Sequence, residues 1–358
     1  MAAGRVEVTT APPYPVVVGA GLDLAGVLSG ALEPSVGAIL TDSNVGPLHA
    51  ASLRRTLEDA GWRVADVIEV PAGERSKSLE MYAEVSRSLA RAGMTREGTL
   101  FALGGGMVGD LGGFVAATYM RGIDLVQLPT SMLAMVDSSV GGKVGVDLPE
   151  GKNLIGSFFQ PQIVVADLGR LETLPDRELS CGLAEVIKMG LLSGGDFFAD
   201  LDRIEASRAG DLAALRALIL HSVRFKARVV AEDELEKGRR AILNYGHTIG
   251  HGLEAAADYN LPHGEAVSTG MVAAALLSRE RLGTDLLALH EDLLRAAELP
   301  LKAPGIEVEK VLSAMGRDKK RRAGDDYRFV LLEDVGRPLW GVPVGEDEAR
   351  RAIEAVVA

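Results

Sequence analysis

Thr99-Leu100-Phe101-Ala102-Leu103-Gly104-Gly105-Gly106-Met107-Val108-Gly109-Asp110 is an apolar run that passes straight into glycines. The run Thr99–Leu103 is short and bounded by glycine, which predicts a buried strand. Outward from it the chain alternates. Val16–Val18 reads as a strand before Gly19 and Gly21, and Val36–Thr41 as another that ends in Asp42 and Asn44. A helix is expected over Leu48–Ala60, a strand over Arg63–Val70, and a helix over Leu79–Ala92, where apolar residues recur at three and four. Strands alternating with helices predict an α/β fold: a mostly parallel sheet with helices on both faces. Ligands of such sheets sit at the carboxyl ends of the strands. Attention therefore falls on Asp42, Asn44 and the glycine run.

Near Leu174-Pro175 the texture changes. Helices are expected over Arg177–Leu192, Leu212–Asp233, His247–Ala257, Gly264–Leu282 and Asp285–Ala297, then a hairpin of Tyr327–Leu332 and Leu339–Val342. The expectation is two domains: 1–174, a nucleotide-binding α/β domain, and 175–358, a mainly α-helical one.

The 358 residues are 47% hydrophobic and 25% charged, which suits a globular chain. The net charge of −12 argues against nucleic acid or an anionic membrane as the main partner. An anionic substrate would need local positive charge. Cys181 is the only cysteine, so no intrachain disulfide forms, and a reducing cytoplasm is the expected compartment. Solitude alone gives little reason to read it as a catalytic thiol. Met1 to Thr10 does not read as a signal peptide, and the weakly charged run Val267–Leu277 is too short to span a bilayer.

Gly104, Gly106 and Gly109 match G-x-G-x-x-G between a strand and a helix, where free amides favour a pyrophosphate. The pattern does not open the first strand–helix unit, and no acidic residue closes a strand about 20 residues on. A tight turn that packs strand on helix, with Asp110 as a helix cap, fits equally well. The nearby Gly73-Glu74 loop, ending in Lys77, strengthens the nucleotide reading. Val136-Asp137-Ser138-Ser139-Val140-Gly141-Gly142-Lys143, followed by Lys152-Asn153, suits a loop around a phosphate or polyol. The plainer reading is a polar loop with a surface lysine.

The histidines carry the sharpest signal. Three of the six lie between 247 and 263. His247 and His251 are four apart in a helical stretch and share a face, and His263 follows Pro262. Imidazoles with one carboxylate and an open position make a catalytic divalent-metal site. H-E-x-x-H is absent, so the carboxylate must come from elsewhere. Glu185 is the best candidate, because it lies in the apolar segment Cys181–Leu192. The alternative is a packed histidine and a Glu185–Lys188 pair one turn apart. Lys188, Lys226, Arg240 and Lys319 are sparse cations that an anionic substrate would use.

Together these segments resemble the 3-dehydroquinate synthases of the sugar phosphate cyclase family, over nearly the whole chain. The resemblance rests on Gly104 to Asp110, Ala117-Thr118-Tyr119-Met120-Arg121-Gly122, Val136 to Lys143, Gly182-Leu183-Ala184-Glu185-Val186-Ile187-Lys188, Asn244-Tyr245-Gly246-His247-Thr248-Ile249-Gly250-His251 and His263-Gly264-Glu265-Ala266-Val267. It implies an NAD-binding first domain and an active site between the domains. It implies a divalent ion, normally zinc with cobalt as a substitute, held by Glu185, His247 and His263, and it moves His251 to a polar neighbour.

The implied substrate is 3-deoxy-D-arabino-heptulosonate 7-phosphate and the products are 3-dehydroquinate and phosphate. Transient oxidation by NAD acidifies a C–H, phosphate leaves by β-elimination, the hydride returns, and the ring opens and recloses by an aldol step. NAD is not consumed. By resemblance, Lys143, Asn153, Arg240 and a second subunit's Arg121 hold phosphate, which requires at least a homodimer. Asp137, Lys188, Lys226, Asn244 and His251 surround the ring hydroxyls and carboxylate, with Lys319 or Lys320 beside them. NAD falls to Asp42, Asn44, Glu74, Lys77, Gly106, Met107, Val108, Gly109, Asp110, Thr130, Ser131, Lys143 (shared with the phosphate), Lys152 and Thr173. The sequence departs from the common pattern at Ser131 and at Val144-Gly145-Val146-Asp147, where Asp147 adds negative charge near the presumed phosphate loop. The rivals are a sister cyclase for another sugar phosphate, a metal-dependent polyol dehydrogenase, and a non-catalytic NAD-binding scaffold.

Overall fold

The computed structural model describes residues 3–316 and 326–358. Lys319 and Lys320 lie outside the described residues. The chain divides into two compact units: Met1–Leu174 with Lys226–Leu235, and Pro175–Phe225 with Glu236–Ala358.

The first unit contains strands β1 (Gly4–Val8), β2 (Tyr14–Gly19), β3 (Val36–Asp42), β4 (Arg63–Val70), β5 (Thr99–Gly104), β6 (Asp124–Pro129), β7 (Lys143–Leu148), β8 (Gly151–Phe158) and β9 (Ile163–Asp167). Its helices are α1 (Leu24–Ser29), α2 (Ala51–Asp59), α3 (Leu79–Arg91) and α4 (Gly106–Thr118). Seven strands form one sheet in the order β1-β2-β9-β6-β5-β3-β4. Only β1 and β2 pair antiparallel in it. The alternation of a strand explains the helices on both faces. Leu100 and Ala102 of β5 pack with Val85, Leu89, Leu111 and Val115, while Phe101 and Leu103 pack with Leu53, Leu57 and Trp62. The strand order reverses between β3 and β5, which leaves Asp42 and Gly104 at the carboxyl ends flanking that crevice.

Two expectations need correction. The helix expected from Leu48 opens with a π-helical turn, Gly46–Ala50, before α2, with Pro47 in its first turn. The long polar loop from Val136 is also structured. Ala134–Ser138 is a π-helical turn anchored by Met135 and Val136, both fully buried. Lys143 then begins an antiparallel hairpin, β7 with β8, that carries Lys152 and Asn153. The small residues that suggested a loop hid the inward-facing Val144 and Val146.

The second unit has α5 (Asp176–Ser193), α6 (Gly195–Ala199), α7 (Ile204–Arg208), α8 (Leu212–Glu232, whose end from Lys226 groups with the first unit), α9 (His247–Ala256), α10 (His263–Leu282), α11 (Leu287–Ala296), α12 (Val308–Gly316) and α13 (Glu346–Val357). Strands β10 (Tyr327–Asp334) and β11 (Arg337–Val344) form the expected hairpin. Helix α5 is buried on every face from Leu179 to Leu192, so it is a central helix. Helix α10 is nearly as enclosed. Glycines let its neighbours close in. A Cβ at Gly264 would lie 2.3 Å from the Cys181 backbone of α5, and one at Gly270 would lie 2.0 Å from the Gly246 carbonyl before α9. Among the described residues, no helix is long and apolar enough to cross a membrane.

Candidate metal centre and its surroundings

The close contacts of α10 set three side chains together. Glu185 sits one turn beyond Cys181 on α5, His247 opens α9, and His263 opens α10 beside Gly264. Gly246 takes the left-handed conformation (φ 76°) that starts α9, and Pro262 precedes α10. Glu185 Oε1 lies 3.5 Å from His247 Nε2 and 3.6 Å from His263 Nε2. Tetrahedral zinc with bonds near 2 Å spaces its ligands about 3.3 Å apart, so these donor atoms are set for one ion. Glu185 is fully buried, and neither carboxylate oxygen accepts a hydrogen bond of normal geometry. Lys188, also buried, is in ion-pair contact with its Oε2. A buried carboxylate in this setting fits a divalent cation.

Burial raises the Glu185 carboxyl pKa, but Lys188, His247 and His263 outweigh it and hold the group well below the usual carboxylate range. Burial, with Lys188, keeps His247 well below its ordinary value and therefore neutral. Burial pulls His263 down, but Glu185 and Glu254 carry it up to about 10. A neutral ligand is needed for a metal, so binding would displace that proton. The far nitrogens are also held. His247 Nδ1 is 3.0 Å from the Tyr245 carbonyl, to which it donates, and His263 Nδ1 is 3.3 Å from Glu254 Oε2. His251, Glu254 and His263 form a second group of converging donor atoms. The His251 side chain is 58% exposed.

The expectation gave no role to Tyr245 or to Glu254. A main-chain carbonyl leaves no residue-type signal. Glu254 had one: it stands seven after His247 and three after His251, on the same helical face.

Behind Tyr245 lies a neutral pair. Its hydroxyl donates to His290 Nε2 at 2.7 Å, and His290 Nδ1 donates to the Leu286 carbonyl at 2.7 Å. Burial lowers His290 from 6.5 to about 4. A lowered folded pKa contributes stability that is present above the unfolded value of 6.5 and lost as pH falls toward 4. The full effect is roughly 3 kcal/mol at 1.36 kcal/mol per pH unit. His290→Gln keeps a hydrogen-bonding side chain and removes the titration. Thermal melts should show a smaller loss of stability between pH 6.5 and 4 than in the native chain. Parallel curves would remove His290 as the cause.

The first unit gathers most of the expected nucleotide residues. Lys77 Nζ meets Asp110 Oδ2 at 2.5 Å and Glu74 Oε1 at 3.9 Å, and Lys152 Nζ lies 3.6 Å from the same Glu74 oxygen. Asp110 is therefore no helix cap; it lies within α4 and pairs with Lys77. Burial raises its pKa, and Lys77 only partly offsets this. Helix α4 starts on Gly105 with no capping side chain, and an uncapped helix start of this kind favours an anion. Gly109 serves packing too, since a Cβ there would lie 2.9 Å from Gln127 Oε1. Asp42 Oδ1 accepts from the amides of Asn44 (2.8 Å) and Val45 (3.0 Å) and so shapes the end of β3. The Thr130 amide donates to the Gly104 carbonyl, and Ser131 Oγ accepts from the Ala134 amide. The Thr173 hydroxyl lies 3.0 Å from His49 Nε2.

Lys226 Nζ reaches Asp137 Oδ1 at 2.7 Å and its carbonyl at 2.5 Å. Lys143 is exposed at the start of β7, and Arg121 is exposed in a left-handed turn after α4 (φ 67°). The departure at 147 has a structural use. Asp147 Oδ1 accepts from the Asn153 amide at 2.7 Å and holds that residue's turn at φ 55°. Arg240 is buried, and Asn244 Nδ2 donates to Glu236 at 3.3 Å. Cys181 is 3% exposed and burial pushes its thiol up to about 12, which leaves it no nucleophile.

A parallel α/β unit whose α4 starts without a side-chain cap, and a helical unit that gathers Glu185, His247 and His263, place the chain beside the solved sugar phosphate cyclases. The family model "3-dehydroquinate synthase N-terminal" matches residues 67–181 and "3-dehydroquinate synthase C-terminal" matches 182–321. A 3-dehydroquinate synthase of Symbiobacterium thermophilum is 49% identical over 355 residues, 96% of this chain and 98% of that one. The chain belongs to the 3-dehydroquinate synthase family. Among solved structures, 2-deoxy-scyllo-inosose synthase complexed with carbaglucose-6-phosphate, NAD+ and Co2+ superposes with a TM-score of 0.90 at 26% identity, covering 99% of this chain and 100% of that one. A 2-epi-5-epi-valiolone synthase from Streptomyces hygroscopicus with NAD+ and Zn2+ bound gives 0.86 at 27% identity, covering 96% of each chain.

Proposed function

We infer that the chain is a 3-dehydroquinate synthase: it turns 3-deoxy-D-arabino-heptulosonate 7-phosphate into 3-dehydroquinate and phosphate. One observation carries this reading: the facing donor atoms of Glu185, His247 and His263, in a chain 49% identical to a named synthase over almost its whole length. Residues 1–174 are the NAD-binding domain and 175–358 the metal- and substrate-binding domain. Bound there, NAD supplies reversible hydride transfer, and a zinc ion, or cobalt in its place, polarises vicinal hydroxyls.

The protein residues do the rest. Glu185, His247 and His263 hold the ion. Asp42, Asn44, Glu74, Lys77, Gly106 to Asp110, Thr130, Ser131, Lys152 and Thr173 hold NAD. The Lys77–Asp110 contact and the uncapped start of α4 support this set. Lys143, Asn153 and Arg240 hold the phosphate, joined by Arg121 from a second subunit in a homodimer. Asp137, Lys188, Lys226, Asn244 and His251 face the ring hydroxyls and carboxylate, with Lys319 beside them. Lys226 paired to Asp137, and Lys188 paired to Glu185, orient ammonium groups that bond anions strongly. The compartment is the cytoplasm.

The test is phosphate release from the heptulosonate phosphate by purified protein with NAD+ and zinc. Release without net growth of the NADH absorbance is expected. Turnover of sedoheptulose 7-phosphate alone would assign a sister cyclase, and NADH accumulating with each turnover would assign a dehydrogenase.

A further inference from the structure

Glu254 is 3% exposed on α9, two turns beyond His247. Its Oε2 lies 3.3 Å from His263 Nδ1 and 4.0 Å from His251 Nε2. His263 Nε2, on the opposite side of the ring, lies 3.6 Å from Glu185 Oε1. One imidazole thus stands between two buried carboxylates.

We propose that Glu254 is a positioning residue that accepts the Nδ1–H of His263, so that the Nε2 lone pair points at the ion held with Glu185 and His247. The inference rests on the metal role proposed above. The physical case is geometric. A single ion cannot reach both carboxylates through one ring, because the two nitrogens point away from each other. The carboxylate on the Nδ1 side therefore acts on the ring. It fixes the tautomer, fixes the rotation about the ring axis, and makes Nε2 a stronger donor. His247 has a different arrangement, because its Nδ1 donates to the neutral Tyr245 carbonyl. The two histidines are then unequal ligands, and the charge of Glu254 makes His263 the more basic one. Burying a second carboxylate in the cluster is costly without such a partner, and His263 supplies it.

Glu254→Gln keeps the side chain's shape and an acceptor but removes the charge. Competition with a chelating dye should show zinc affinity falling by about tenfold to a hundredfold. The visible spectrum of the cobalt-loaded protein should shift, since the donor strength of one ligand changes. Circular dichroism should match the native chain. A merely structural Glu254 would lower the melting temperature and leave both the zinc affinity and the cobalt spectrum unchanged, and that result would overturn the proposal. Two zinc ions per native chain, with one lost in Glu254→Gln, would make Glu254 a ligand and overturn it too. If the variant does not fold, nitrogen NMR of the zinc-loaded native protein decides. His263 is expected to carry its proton on Nδ1, and a proton on Nε2 refutes the assignment. A native chain that binds no zinc sinks the metal reading itself, whereas native binding with an unchanged variant sinks only this inference.

Discussion

Replacing Glu185 by Gln is expected to lower phosphate release by about three powers of ten and to leave the purified protein almost free of zinc. A metal that polarises a substrate oxygen contributes several kcal/mol to the transition state, at 1.36 kcal/mol per decade of rate. Glu185 supplies the only carboxylate in the Glu185–His247–His263 group and lies within 3.6 Å of both histidine donors. Glutamine keeps the volume of the site, and its amide oxygen still faces the Lys188 ammonium. Alanine would be a poorer test. Either change removes the charge that faces the buried Lys188 ammonium, but alanine also takes away the acceptor and opens a cavity, a further cost of about 2–5 kcal/mol that confuses folding with metal binding. Elemental analysis beside the phosphate assay checks the result. A folded variant with a full zinc content would show that Glu185 is no ligand, and the metal reading would have to move to His251, Glu254 and His263.

The sequence displayed β2, β3, β4 and β5 because each is a separate, largely apolar run, and β5 enters its glycines without a polar break, whereas β1, β6 and β9 carried no such expectation. It displayed Glu185 for a similar reason: a lone acid inside α5 stands out against an apolar helix. The hairpin of β7 and β8 was illegible, since Gly145 and Gly156, which face each other across it, read as loop residues. Spacing also left His251 level with His247. Both lie on one helical face, and only the third dimension shows that Nε2 of His247 and of His263 converge on Glu185 while His251 stands half out in solvent. The pairing of Lys77 with Asp110 spans 33 positions, so no local pattern announces it. Side chains that meet through tertiary packing leave only their chemical type in the sequence.

Gly264→Ala is expected to damage folding and metal binding together, although the new methyl touches no ligand. Its Cβ would lie 2.3 Å from the Cys181 Cα and carbonyl oxygen, against 3.4 Å for ordinary contact. Those are backbone atoms of a central helix, so no side chain can turn aside. Helix α10 must retreat from α5 by about 1 Å, a strain that typically costs 1–3 kcal/mol or more. The melting temperature should drop by roughly 5 °C. The gap opens beside His263 and one turn from Glu185, between two donor atoms now 3.6 Å apart. Zinc affinity should therefore fall by at least about a hundredfold, as metal sites depend on donor placement to a few tenths of an ångström. Gly113→Ala is the instructive comparison. There the new Cβ meets the Val144 side chain at 2.3 Å, so Val144→Ala should restore much of the lost stability. No substitution at 181 should restore Gly264→Ala, because the obstacle is main chain. A Gly264→Ala protein with native melting and native zinc affinity would mean that α5 and α10 are not in this contact, and that Glu185 and His263 are not held together by it.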